Sequence, residues 1–199
     1  RSGAIKIGDL SEPPTHVPPD QKSMEDRESL YFADPGPGQI AVEGYWFYQD
    51  KDGVDQPLRD AKVEIWDSDA SGDTLLETTH TDNRGYYASG NIENNDSEGG
   101  GQDIYVKVFA TDDRSVRVTD FSSSNNLYYS ATEVQNDVSD GEVDLGSYLI
   151  DDSNNRMAWY IYDVIANDAF DYLADNVGWR NSYDLQVRWS PTNTSQDTY

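Results

Sequence analysis

Hydrophobic and polar positions alternate with a period of two from about residue 40 to 150, and the period changes to a helical one at Asp151. The stretch 62–87, KVEIWDSDASGDTLLETTHTDNRGYY, shows the pattern best. Val63 and Ile65 alternate into an Asp/Ser/Gly turn, Leu75, Leu76 and Thr78 mark a second strand, and Thr81-Asp82-Asn83-Arg84-Gly85 turns the chain into Tyr86-Tyr87. Gly85 supplies the positive φ such a turn needs. Strands are predicted at 40–48, 61–67, 75–81, 86–89, 103–111, 116–119, 127–134 and 143–150. This spacing predicts an antiparallel two-sheet sandwich over 39–150. Alternation is cleanest where Ile104, Val106 and Val108 oppose Tyr105, Lys107 and Phe109. Residues 91–102 are polar and Gly-rich and read as a loop projecting into solvent.

Beyond Asp151 the spacing of Met157, Ile161, Val164, Ile165, Phe170 and Leu173 predicts one helix within 152–177, capped by Asp151, Asp152 or Ser153 and ending near Gly178. Asp163, Asp168, Asp171 and Asp175 are assigned to its outer face. A strand at 185–189 and a polar tail complete a helix-strand appendage, 151–199. Ahead of the sandwich, residues 1–38 are rich in Pro, Asp, Glu and Ser and read as an extended arm that cannot fold alone. Ile5-Lys6-Ile7 could add a strand to a free sheet edge, of its own sandwich or of a neighbouring subunit, and the expected partnership is self-association or a neighbouring subunit engaged through this arm. The fold class is therefore mainly β: a sandwich with an N-terminal arm and a C-terminal helix plus strand.

Composition narrows the function. The formal net charge is −24, and Asp outnumbers Glu by 28 to 10. Asp favours turns and caps over helix interiors, so the acids belong to loops. Such a charge disfavours nucleic acid and anionic membrane as partners, and no apolar run is long enough to span a bilayer. Acidity with few lysines suits either a high-salt setting or calcium use. There is no cysteine. A chain beginning at Arg1 suggests a processed, exported protein, for which Asn95-Asp96-Ser97 and Asn193-Thr194-Ser195 are glycosylation sequons.

Three features carry a family resemblance: the first strand Ala41-Val42-Glu43-Gly44-Tyr45-Trp46, the Asp50-Lys51-Asp52-Gly53 turn with Pro57 ahead of DAKVEIWD, and TDNRGYY. Together they resemble the transthyretin-like sandwiches known as carboxypeptidase regulatory-like or Cna-B-type modules, over just over half the chain. The stretch MAWYIYDVIANDAFDYLADNVGW followed by DLQVRW is similar to segments preceding the zinc-peptidase domain of some secreted bacterial proteins. The zinc motif H-E-x-x-H is absent, so the resemblance implies no peptidase activity here. Some related modules form a Lys–Asn isopeptide bond between first and last strands. Here those strands lack the Lys and the Asn, so Lys62 and Lys107 read as ordinary strand lysines.

Candidate chemistry is sparse. Asp50, Asp52 and Asp55 surround Gly53 at calcium-loop intervals and form the candidate metal site, with calcium as the candidate ion and Asp60 as a closing ligand. Asp67, Asp69 and Asp73 form a weaker copy, and Asp137, Asp140 and Asp144 read as a polar connection. His16 and His80 are too few for a zinc site or a hydrolytic triad. Tyr45, Phe47, Trp66, Tyr128 and Tyr148 are core candidates, and Trp159, Tyr160 and Tyr162 form a lid over the sandwich. The expected function is that of a non-catalytic, extracellular or cell-surface structural protein, such as a filament subunit. The alternatives are the accessory N-terminal region of a secreted metallopeptidase, and an adhesin or carbohydrate-binding module.

Overall fold

Strand β1, Gln39–Gln49, organises the first sheet of the computed structural model, which describes residues 34–96, 99–121, 124–152, 155–179 and 184–192. One edge of β1 pairs along its length with β10, Gly141–Ile150. Three short strands share the other edge in succession: β6, Ile92–Glu93, at its start, β5, Tyr86–Ala88, at its middle, and β2, Asp55–Pro57, at its end. The second sheet runs β4, Thr74–His80; β3, Lys62–Asp67; β7, Ile104–Phe109; and β9, Tyr129–Ala131, all antiparallel. Ile5, Lys6, Ile7 and most of the predicted arm lie outside the described residues, as does the Asn193 sequon.

The two sheets enclose one core, as the alternation predicts. Ile40, Val42, Trp46 and Tyr48 from β1 meet Val63 and Ile65 from β3 and Ile104, Val106 and Val108 from β7. Each such side chain contributes roughly 1.5–3 kcal/mol by leaving water. The deepest aromatic residues of β1 are Trp46 and Tyr48, beside Tyr87 of β5, whereas the predicted Phe47 is half-buried. Parity explains the difference: the side of β1 that carries Ile40 and Val42 also carries Gly44, Trp46 and Tyr48. Gly44 is small because Tyr87 crosses it, and a Cβ there would lie 2.8 Å from the Tyr87 hydroxyl and 3.0 Å from the Gly146 carbonyl oxygen.

One ladder departs from the predicted antiparallel arrangement: β1 and β10 run parallel. Alternation reports which face is buried but not which way a neighbour runs. A bulge interrupts this ladder, with Glu43 opposite Asp144 but Tyr45 opposite Ser147. The extra residue sits at Leu145-Gly146, where Gly146 adopts φ +74°.

The TDNRGYY turn forms as its residues dictate. The Asp82 carboxylate accepts the amides of Arg84 (2.7 Å) and Tyr86 (3.0 Å), and Gly85 takes φ +77°. A Cβ on Gly85 would lie 2.3 Å from the Trp46 carbonyl oxygen, so the turn packs directly on β1. The 91–102 loop is less free than predicted. Asn94 donates to the Val138 carbonyl and accepts the Gln102 amide, and Gln102 is buried.

The C-terminal helix runs as α1, Arg156–Asp163, a π-helical stretch, Val164–Ala169, and α2, Phe170–Val177. Its N-cap is Asn155, which makes no side-chain cap bond, rather than Asp151 or Asp152; Ser153 lies outside the described residues. Asp152 serves instead by accepting the Arg156 amide at its carbonyl (2.8 Å). Gly178 closes the helix at φ +70°, as expected. Ala158, Trp159 and Tyr162 enter the same core as the sheets, so this segment covers the sandwich directly. Strand β11, Leu185–Arg188, then pairs in parallel with β8, Val116–Thr119.

Two substitutions test the β1–β5 contact. Gly85→Ala is expected to lower stability by roughly 1–3 kcal/mol through strain and overpacking, read as a fall in Tm. Tyr87→Phe should leave Tm unchanged or raise it, because the buried Tyr87 hydroxyl has no partner among the described residues.

Candidate functional site

The Asp50 turn is closed by its own donors. Asp50 Oδ1 accepts the amides of Asp52 and Val54, both at 2.9 Å, and Oδ2 accepts the Gln56 side-chain amide at 3.1 Å. Burial works against the Asp50 charge, but these bonds hold its pKa below the ordinary aspartate value. Asp52 pairs with Lys51, and Asp55 takes a ladder position in β2 opposite Gln49. The predicted trio is therefore spread over a hairpin.

A different trio converges. Among the described residues, carboxylate oxygens of Asp67, Asp69 and Asp96 lie within 4.8 Å of one another. Asp67 is the last residue of β3 and shares the inward parity of Val63 and Ile65, so it sits almost fully buried at one end of the sandwich. Asp69 follows in the turn, and Asp96 arrives from the 91–102 loop. Asp67 Oδ1 accepts the Asp103 amide at 2.7 Å, and Asp69 accepts the Thr74 hydroxyl at 3.2 Å. Burial raises the Asp67 pKa, and the nearby charges of Asp69, Asp96 and Asp103 add to the rise beyond what the Asp103 amide offsets. Three converging anionic oxygens form a hard donor set of the kind calcium takes. The spacing of Asp67 and Asp69 marks two of these residues. Asp73, their expected third, instead accepts the Tyr105 hydroxyl at 2.6 Å.

A second polar centre has no sequence signature. Arg59, between β2 and β3, reaches Asp163 with Nε to Oδ1 at 3.0 Å and Nη2 to Oδ2 at 2.6 Å. Tyr48 donates to Asp163 Oδ2 (3.0 Å), and the Asn167 side-chain amide donates to Oδ1 (3.0 Å). Arg59 Nη2 also meets Asp168 at 2.8 Å. The i→i+5 winding of the π stretch brings residue 168 round to the side of 163, so both acids reach one guanidinium. Asp163 thus faces the sandwich, against its predicted outer position, whereas Asp168 stays exposed as predicted and meets Arg59 from the surface; a paired charge can lie inward where an unpaired one could not. Burial lifts the Asp163 pKa, an effect that Arg59 and Tyr48 only partly offset. For Arg59 burial lowers the pKa, but the Asp163 contacts outweigh it and keep the guanidinium charged.

The third feature is apolar. None of the residues of α2 is buried. Phe170, Leu173, Ala174 and Val177 share one helical face, Val177 is 67% exposed, and Trp179, 42% exposed, rests edge-on against Phe170 at 5.6 Å between ring centroids. Elsewhere exposed groups find local partners. Arg114 binds both Asp60 oxygens (2.5 and 2.7 Å), Arg117 pairs with Asp184, and His80 Nε2 faces the Asp112 carbonyl at 3.2 Å. Lys107 Nζ lies 4.3 Å over the Trp66 ring and 5.1 Å over that of Tyr105.

No protein family matches the chain, and no curated protein does. Among solved structures, a 9R-lipoxygenase from Cyanothece PCC8801 is similar over 65% of this chain and 19% of its own, at 20% identity and a TM-score of 0.39. An (S)-allantoin synthase is similar over 59% of this chain and 42% of its own, at 11% identity and a TM-score of 0.34. A protein of Pseudomonas aeruginosa described as carbohydrate-binding is similar over 60% of this chain and 92% of its own, at 11% identity and a TM-score of 0.28. At these values no activity passes from them to this chain.

Two measurements probe these centres. In chelator, Asp69→Asn should raise Tm, because it removes a like charge worth about 1 kcal/mol at contact in water, or about 2–4 °C for a chain this long. An ion held by the trio inverts that order in millimolar calcium at matched ionic strength. An order unchanged by calcium leaves the trio a solvated acid patch. Arg59→Met should cost about 3 kcal/mol by leaving Asp163 buried and unpaired. Loss of Arg59 raises the folded-state Asp163 pKa further above its unfolded value. The variant's stability deficit should therefore shrink in mild acid and grow as pH rises through that pKa. A deficit independent of pH would place the loss in packing.

Proposed function

We propose that this chain is a non-catalytic structural protein of the cell exterior, a transthyretin-like or Cna-B-like sandwich that assembles with a neighbouring subunit. The observation that carries this reading is the uncovered apolar face of α2, where Leu173, Val177 and Trp179 border solvent beyond the edge of the core. An amphipathic helix normally buries such a face. One turn-length patch is small beside a standard interface of roughly 800 Å² per partner, so the contact is weak unless other surface joins it. Calcium is the ion its acid-rich turns would take.

A specific observation also favours the second reading, the accessory region of a secreted metallopeptidase. The uncovered face lies within the segment that resembles the approach to a peptidase domain, and such a domain would cover it within one polypeptide. Charge separates the two. Copies carrying −24 repel one another at low salt, and screening shortens the Debye length from about 10 Å at 0.1 M to about 3 Å at 1 M. Sedimentation equilibrium should therefore show association that strengthens with sodium chloride. Val177→Asp should abolish it without changing Tm, and Val177→Leu should preserve it. A wild type that stays monomeric at every salt concentration overturns the assembly reading and advances the accessory one.

A further inference from the structure

Clustered carboxylates are commonplace in a chain of net charge −24, but the Asp67, Asp69 and Asp96 cluster has a buried neutral oxygen in its surroundings. Gln102 is only 6% exposed, and its side-chain Oε1 accepts no hydrogen bond from the described residues. A buried amide oxygen without a partner is costly, so a native fold rarely leaves one. We propose that Gln102 Oε1 is the fourth protein ligand of a calcium ion held by the carboxylates of Asp67, Asp69 and Asp96.

The backbone brings Gln102 to this place. Asp67 stands opposite Ile104 in the β3–β7 ladder, and the Ser68 amide carries the pairing one step further to the Asp103 carbonyl (2.9 Å). Gln102 lies two residues before Ile104 and is buried as Asp67 is, so both side chains stand on the inner face at the same end of the sheet. The Asp67 carboxylate accepts the Asp103 amide, the peptide nitrogen that follows Gln102, at 2.7 Å. On its other side Gln102 is tied to the segment leading to Asp96. Its backbone amide donates to Asn94 Oδ1 (2.9 Å) and its Nε2 to the Glu93 carbonyl (3.3 Å). Gln102 is therefore bracketed by Asp67 and the residues that deliver Asp96. The Nε2 bond also fixes the amide's orientation, because a flipped amide would set Oε1 against the Glu93 carbonyl oxygen.

The carboxylates are set in advance as well. One oxygen of Asp67 takes the Asp103 amide and one of Asp69 takes the Thr74 hydroxyl, which orients each group and leaves its second oxygen for an ion. The Gly99 amide donates to the Asp96 carbonyl (3.2 Å), turning the chain where Asp96 is presented. Three carboxylates and an amide oxygen make an all-oxygen set that suits calcium, with waters completing its roughly six to eight ligands; magnesium, which gives up its own waters reluctantly, fits less well. Asp67 ends β3 in the second sheet, and Asp96 follows shortly after β6 in the first, so the ion would join the two sheets at this end. The proposal rests on the reading of calcium as the ion of the acid-rich turns and is independent of the α2 contact.

Calorimetric titration of the full chain with calcium chloride tests the site, in about 0.15 M sodium chloride to screen the net charge. One calcium should bind per chain, and magnesium should bind at least about 10-fold more weakly. Gln102→Met, close in size but without the oxygen, should weaken calcium at least about 10-fold, a loss typical even of groups that only support a ligand. Gln102→Glu, which restores an oxygen, should bind more tightly than Gln102→Met. NMR of the wild type needs no variant: the Gln102 side-chain amide signals should shift as calcium is added. Absence of stoichiometric binding, or magnesium binding as tightly as calcium, overturns the proposal, because a diffuse acid patch does not distinguish the two ions. So does calcium binding that leaves the Gln102 signals unmoved, which would assign Oε1 to a buried water. Sedimentation of the same samples reads association separately. A chain that binds calcium and stays monomeric upholds this site while the assembly reading fails, and the reverse pattern does the opposite.

Discussion

Every layer of the fold is built on β1. Eleven residues on this one strand supply the ladder for β10 on one edge and for three short strands on the other. Its inward positions supply Ile40, Val42, Trp46 and Tyr48 to the core. The constraint is steric as much as hydrophobic, because the TDNRGYY turn and the Tyr87 ring both press on its backbone near Gly44 and Trp46. A strand in this position tolerates little change in volume, since packed interiors leave few voids to absorb it.

The helix is held to that frame by polar contacts as well as apolar burial. Trp159 and Tyr162 enter the core, while Arg59 joins the sandwich to Asp163 and Asp168. Tyr162 adds a hydrogen bond from its hydroxyl to the Asp60 carbonyl (2.7 Å). A buried ion pair of this kind adds little net stability against an apolar substitute, but it penalises any register that leaves Asp163 unpaired. The π stretch fits this role, because ordinary α winding would turn Asp168 away from Arg59. Beyond that anchor Phe170 still packs against the core, and Val177 and Trp179 are left at the surface.

Acidity is unevenly used. Asp50, Asp82 and Asp112 spend their oxygens on backbone amides of their own turns, the role expected of Asp-rich loops. Burial works against the Asp112 charge, yet its hydrogen bonds from Ser115 and Val116 hold the pKa below normal. Among the described residues Asp67 has a single amide donor and like-charged neighbours, and its pKa moves the other way. The same residue type thus stabilises one set of turns and strains another, according to how many donors the backbone presents to each carboxylate.

The strands, the turn at Gly85 and the helix end at Gly178 were legible in the residues, because period and turn chemistry are local. The parity of Ile40 and Val42 points Trp46 and Tyr48 inward; Tyr45 is buried as expected, whereas Phe47 is only half-buried. The DSD run at 67–69 marked two members of the acidic trio. Asp96 could not be seen, since only the folded path of the 91–102 loop brings it there. Nor could the direction of β10, because alternation is the same whichever way a neighbour runs. Asp163 reads as solvent-facing, as unpaired acids on a helix usually are, and only tertiary contact with Arg59 turned it inward. Local chemistry decided which segments became strands, turns and helix; long-range contact decided which strands met, which carboxylates gathered and which apolar face was left uncovered.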